Sequence, residues 1–196
     1  SNKIVLSSSA ESLVIFANFR IDNTERYLRM QDSFLSFKDI SAEKWVINIR
    51  GLYKEEAFHF LQGHLKNKLY NYNLESKEGW FHDTRIMLKD IDSDFVFFWI
   101  EDHINMVDAS KYDEILDEMK ENECEHLTYS WWHNKYKKNF SSLAKKGSDS
   151  LNIYKMNKKN IKAIEKDIGH YFYIVSAVSI TSSKLFKKII HSNHPR

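Results

Sequence analysis

Glycine occurs five times in 196 residues and proline once. The glycines stand at 51, 63, 79, 147 and 169, so neither a GxGxxG nor a GxxxxGK[ST] phosphate cradle can be drawn. A nucleotide would have to be held without one. No GxSxG elbow and no HExxH helix occurs either. The single cysteine, Cys124, excludes an internal disulfide and any CxxC metal site. No apolar run approaches the roughly 18 residues that a membrane span needs, and no charged-then-apolar-then-small pattern opens the chain. A reducing, cytoplasmic setting is the expectation. What is present suffices for one domain over residues 1–196: 42% of the chain is hydrophobic and 14% aromatic, while 29% is charged. The abrupt ending on "HSNHPR" is what a shortened chain would show.

A net charge of +2 conceals an asymmetry. Residues 101–125 hold ten acids against two lysines, a net of −8, and residues 133–166 hold ten lysines against Asp149 and Glu165, a net of +8. Solvated surface accounts for both. The Lys-rich segment 135–166 is also a candidate contact for a phosphorylated acceptor, or for the inner face of an anionic membrane as a peripheral surface. No helix-turn-helix, finger or aromatic-interleaved basic motif accompanies the lysines, so nucleic acid is not an expected partner.

Apolar runs and helical patterns alternate along the chain. "SLVIFAN" (12–18) reads as a strand, and Tyr27, Met30, Phe34 and Phe37 recur at helical spacing behind a capping signal from Asp22 and Glu25. "KWVINIRG" (44–51) is a strand ending at Gly51, followed by a helix with Tyr53, Ala57, Phe60, Leu61 and His64 on one stripe. "LYNYNL" (69–74) gives a third strand, and a helix opened by Gly79 leads into the unbroken apolar run Phe95–Ile100. That order, βαβαβαβ, predicts an α/β fold: a mostly parallel sheet with helices on both faces. Beyond it come an amphipathic helix through Tyr112, Ile115, Leu116 and Met119, strands at 126–132, 151–156 and 171–180, a helix marked by Ile161, Ile164 and Ile168, and a closing helix behind a serine cap. "KKGSDS" (145–150) reads as a mobile loop.

A strand buried on both faces delivers its first polar groups just past its carboxyl end, where open α/β sheets bind ligands. Glu101, Asp102 and His103 stand there. Two carboxylates and an imidazole offer donors to a divalent cation, although a polar loop capping the next helix would look the same. Arg20, Arg26, Arg50 and Arg85 follow the first three strands and could fork onto phosphate oxygens. In "SWWHN" (130–134), Trp131 and Trp132 could stack on a sugar or fill a core, and His133 could take a proton from an acceptor hydroxyl. His59 and His64 are five apart, off the spacing of helical metal ligands, and read as structural.

In order and spacing the first half, residues 12–103, resembles the nucleotide-diphosphosugar glycosyltransferases of the GT-A fold, nearest in rhythm to the family-two group. Asn18-Phe19-Arg20 occupies the place of a Tyr-Asn-Arg-like turn, Ser33-Phe34-Leu35 that of a Ser-Leu-Leu in the first helix, and Gly79 with Arg85 that of a Gly and Ala-Arg-Asn. Glu101-Asp102-His103 stands where that family has Asp-x-Asp at a strand end. The resemblance implies a GT-A-like α/β domain, with 12–103 binding the nucleotide sugar and 104–196 the acceptor. It implies a sugar transfer from a nucleotide-diphosphosugar to a hydroxyl of a polysaccharide or glycolipid. Asn18, Arg20, Arg50 and Arg85 would hold nucleotide or phosphate, and Glu101, Asp102 and His103 a Mn²⁺ or Mg²⁺ ion. Asp102 would be essential to transfer and His133 is the candidate base. Two departures stand out: Ile49-Arg50-Gly51-Leu52 replaces Asp-Asp-Gly-Ser, and His103 replaces the final aspartate. They keep open a non-catalytic domain binding a glycan or a partner; a sugar nucleotidyltransferase is a further alternative.

Overall fold

A computed structural model describes residues 12–128, 143, 145–171 and 179–192. Its first half builds the repeating unit that the sequence pattern predicts. Strand β1 (Leu13–Arg20) leads to helix α1 (Thr24–Phe37), β2 (Lys44–Arg50) to α2 (Lys54–Leu65), and β3 (Leu69–Tyr72) to α3 (Trp80–Met87) and β4 (Phe95–Phe98). These are followed by α4 (Ala109–Glu121), β5 (His126–Thr128), β6 (Lys145–Gly147), β7 (Asn152–Tyr154), α5 (Lys158–Ile168), β8 (Ser179–Ser182) and α6 (Ser183–His191). Six strands form one sheet in the order β3-β2-β1-β4-β8-β5. β1 pairs in parallel with β2 and β4, and β2 with β3, whereas β8 lies antiparallel between β4 and β5. The α/β class and the mostly parallel sheet are as expected.

Side-chain alternation sorts the core into two layers. Ile15, Ala17, Phe19, Trp45, Ile47 and Ile49 face α1, α2 and α4, packing with Phe34, Leu61 and Leu116. Val14, Phe16, Val46 and Val96 face α3 and α6, packing with Met87, Phe186 and Ile190. Helices therefore do cover both faces, which is why β1 and β2 read as unbroken apolar runs.

Several boundaries differ. The cap of α1 is Asn23, extended at φ −147°, whose side chain accepts from Arg26 N at 2.9 Å. Asp22 instead turns its carboxylate to Leu52 N at 3.4 Å and Arg20 at 3.6 Å. The run Phe95–Ile100 is strand only to Phe98: pairing with β1 stops at Phe16, and the chain then turns away while β1 runs on to Arg20 beside β2. The segment expected to be a mobile loop is a hairpin: Lys145, Lys146 and Gly147 pair with Tyr154, Ile153 and Asn152. Glu118 of α4 fastens its turn, accepting from Ser148 Oγ at 2.7 Å and Ser150 N at 3.1 Å. Residues 129–132 and 172–178 of two expected strands lie outside the described residues. Among the described residues no helix is long and apolar enough to cross a membrane.

Candidate active site

The connections fix where a ligand would lie. α1 and α2 cover one face of the sheet and α3 the other, so the chain reverses between β1 and β4. In open α/β sheets the crevice outside the carboxyl ends of the strands at such a reversal is the ligand site. Here its walls are the turn after β1 and the segment after β4.

The turn after β1 is welded to that after β2. Ile21 N donates to Arg50 O at 2.8 Å, and Tyr53 N donates to Ile21 O at 3.0 Å. Gly51 makes this approach possible: at φ +100° a Cβ would lie 2.7 Å from Asp22 Oδ1 and closer still to the Ile21 carbonyl oxygen. Arg26, in the first turn of α1, reaches back with Nη1 to Arg20 O at 3.4 Å.

On the α3 face, β1 and β2 end in a matched polar block. Asn18 is in register with Asn48, and Arg20 with Arg50. Asn48 is fully buried and Asn18 nearly so; burying such carboxamides is tolerable only when they are bonded. Asn48 Nδ2 donates to Asn18 Oδ1 at 3.0 Å and to Leu74 O at 2.9 Å, while its Oδ1 accepts from Leu74 N at 2.8 Å. Asn18 Nδ2 donates to Thr84 Oγ1 at 3.1 Å, and Trp80 Nε1 to Asn18 O at 2.8 Å. Asp83, 2% exposed, accepts from Ser76 N at 3.2 Å. The segment 74–79 is thus drawn over the ends of both strands, and Glu75 pairs with Arg20.

Across the reversal, the segment after β4 is held on α1. Trp99 N continues the strand direction to Phe16 O at 2.8 Å, and its indole Nε1 donates to buried Ser33 Oγ at 2.9 Å. Ser33 Oγ in turn donates to Ile100 O and His103 O. Asn105 completes the anchor, with its N donating to Ser36 Oγ at 2.9 Å and its Oδ1 accepting from Tyr112 OH at 2.8 Å. On this rigid base Asp102 and His103 stand half exposed, with Nδ1 of the imidazole 2.9 Å from Asp102 Oδ1. Glu101 is partly buried; burial and, less, the neighbouring Asp102 charge push its carboxyl above its ordinary value, against an opposing pull from its own backbone N–H and then from Arg26 and His103. Arg26 therefore stands between the β1 turn and the acidic segment.

The structure brings Arg20, Arg26 and Arg50 to one edge with Glu101, Asp102 and His103 across the crevice. Arg85 sits in the last turn of α3, where Nη1 contacts Ile190 O at 3.5 Å at the end of α6. Asn18 occupies the polar block. His133 lies outside the described residues. His64, exposed on α2, lays its ring against Phe34 and Phe60 at 5.3 and 4.8 Å, a packing role at the rim of the core. No group of three His, Cys, Asp or Glu side chains placed to hold a metal ion occurs among the described residues. Asn48, Glu75, Asp83 and Thr84 were not singled out in the sequence. A signal for Asn48 was available: β1 ends in Asn-Phe-Arg and β2 in Asn-Ile-Arg, two strands closing on one pattern.

No protein-family model matches the chain, and a search of curated proteins finds no match. Among solved structures the chain is similar to 4-diphosphocytidyl-2C-methyl-D-erythritol synthase from Anaerococcus prevotii. The two share 11% identity at a TM-score of 0.47, over 97% of this chain and 81% of the other. A likeness of that strength carries no argument about activity.

Proposed function

We propose that the chain is a transferase that lays a nucleotide-diphosphosugar across the crevice between β1 and β4 and passes the sugar to a hydroxyl of a glycan or glycolipid acceptor. The observation that supports this is the placement of Arg26, which bonds Arg20 O in the β1 turn, within electrostatic reach of Glu101 in the anchored segment across the reversal point. Negative charge accumulates on a departing diphosphate, and fixed guanidinium groups at that position stabilise it more in the transition state than in the ground state. Asp102 holds His103 through Nδ1, which leaves Nε2 to take the acceptor proton. This gives His103 the role expected of His133. The three residues 101–103 do not form a metal cage of their own. A Mg²⁺ ion that keeps its waters needs only one or two carboxylates beside the substrate phosphates, and Asp102 would supply one; such an ion would neutralise diphosphate charge.

Asp102→Ala should lower transfer by about a hundredfold, because it frees the imidazole that takes the acceptor proton from its orienting bond, with little change in melting temperature because the side chain is half exposed. Unchanged turnover would remove the segment from the mechanism. Release of a nucleoside diphosphate during turnover supports sugar transfer; release of inorganic pyrophosphate would assign nucleotidyl transfer instead.

A further inference from the structure

The described arginines differ in one respect. Arg20 pairs with Asp22 and Glu75, Arg26 bonds Arg20 O, Arg29 pairs with Glu25, and Arg85 contacts Ile190 O. Arg50 has no hydrogen bond or ion pair from its side chain among the described residues, and its Nε is buried without a partner. The residue as a whole is half-buried. It stands in register with Arg20 on the neighbouring strand, about 4.8 Å away across the sheet. Like charges facing each other across strands are destabilising, and a buried donor without an acceptor costs free energy. Asp22 and Glu75 answer only Arg20. A protein gains nothing by leaving the second guanidinium in this state, whereas a planar fork left open at a ligand edge matches phosphate and carboxylate oxygens.

We infer that Arg50, with Arg20 beside it, forms a second oxyanion subsite that takes a phosphate or carboxylate group of the substrate other than its diphosphate. β2 is two strand spacings from β4, roughly 10 Å, and Arg50 projects on the α3 face, whereas Arg26 belongs to α1 on the other. One diphosphate at the β1–β4 crevice would leave Arg50 free. The loop 74–79, tied down by Asn48 and Asp83, carries Glu75 to Arg20 at the side of this subsite. Its assignment to the substrate rests on the transferase reading; the anion subsite does not.

The orphaned Nε–H is its own reporter. Its ¹⁵N-resolved signal is assigned by its loss in Arg50→Gln, then followed as inorganic phosphate or acetate replaces chloride at constant ionic strength. The Arg50 signal should move and saturate, and the dissociation constant by calorimetry should weaken about tenfold in Arg50→Gln, the loss of one charge-assisted bond. Arg50→Lys should recover part of it. In chloride alone Arg50→Gln should melt at or above the unsubstituted protein, because an unpaired charge has gone. A response to phosphate alone would assign a phosphate group, and an equal response to acetate a carboxylate. An Arg50 signal unmoved by both anions, or an Arg50→Gln protein that melts well below the original, would overturn the inference. If no nucleotide sugar binds while phosphate still requires Arg50, the transferase reading fails and the subsite stands.

Discussion

Replacing Gly51 by alanine tests the weld between the first two strand ends, on which the placement of Arg20 and Arg50 depends. The residue has φ +100°, where a side chain is strained by about 1–3 kcal/mol. The added methyl carbon would also lie 2.8 Å from the Ile21 carbonyl carbon and 2.7 Å from Asp22 Oδ1. Ile21 cannot retreat freely, because it donates to Arg50 O at 2.8 Å and accepts from Tyr53 N at 3.0 Å. Losing one or both bonds adds about 1 kcal/mol each. The expected total is about 3 kcal/mol, which for a chain of this length is roughly 6–12 °C of melting temperature. Urea unfolding of three variants separates the causes. At Gly79, φ is +93° but a Cβ would meet nothing within 4 Å, so Gly79→Ala should show only the backbone part. Gly63, exposed within α2 with open space around it, should gain about 0.5–1 kcal/mol on becoming alanine. If Gly51→Ala unfolds no more easily than Gly79→Ala, close approach of the two turns is not what Gly51 provides.

Other expectations concern the β4 segment. Because burial raises the Glu101 carboxyl above its usual 4.5, the folded state holds that proton more tightly than the unfolded chain does. Stability should therefore fall as pH rises from about 4.5 through the folded value, and stay lower above it. Glu101→Gln should be more stable than the original protein at pH 7 and equal to it at pH 4 in urea melts; the opposite trend would mean that Arg26 outweighs burial. Ser33→Ala strands the buried Trp99 indole N–H, which should cost about 1–3 kcal/mol and raise hydrogen exchange in residues 100–105. Exchange unchanged there would show that the segment holds without Ser33.

The parallel half was legible because its strands are continuous apolar runs and its helices carry clear stripes, so α1 and β2 fall within a residue of the expected bounds. What escaped depended on long-range bonds. Asn23 and Asp22 are both good caps, and only the weld to Leu52 decides between them. The hairpin at 145–154 has no alternating pattern, and its turn is held by Glu118 from a helix some thirty residues earlier. At the site, the residues after β4 could be found because charge follows an apolar run abruptly. Asn48 was marked only by its echo of Asn18, and Asp83 by nothing, since a buried polar residue has meaning only through its partners, here Leu74 and Ser76. Nor did spacing distinguish Arg50 from Arg85: both follow a strand by count, but Arg85 lies in the last turn of a helix against α6.

The most direct measurement is a melting-temperature panel of UDP-, GDP-, dTDP- and CMP-sugars on the unsubstituted chain and on Arg26→Gln, each with and without Mg²⁺ or Mn²⁺. The central claim is that the β1–β4 crevice holds a sugar nucleotide. It predicts a rise with one nucleotide class that reaches several degrees at a hundredfold excess over Kd, about 2.7 kcal/mol of linkage, and that shrinks in Arg26→Gln. A panel that leaves both proteins unmoved, or a rise that Arg26→Gln shares in full, would contradict it.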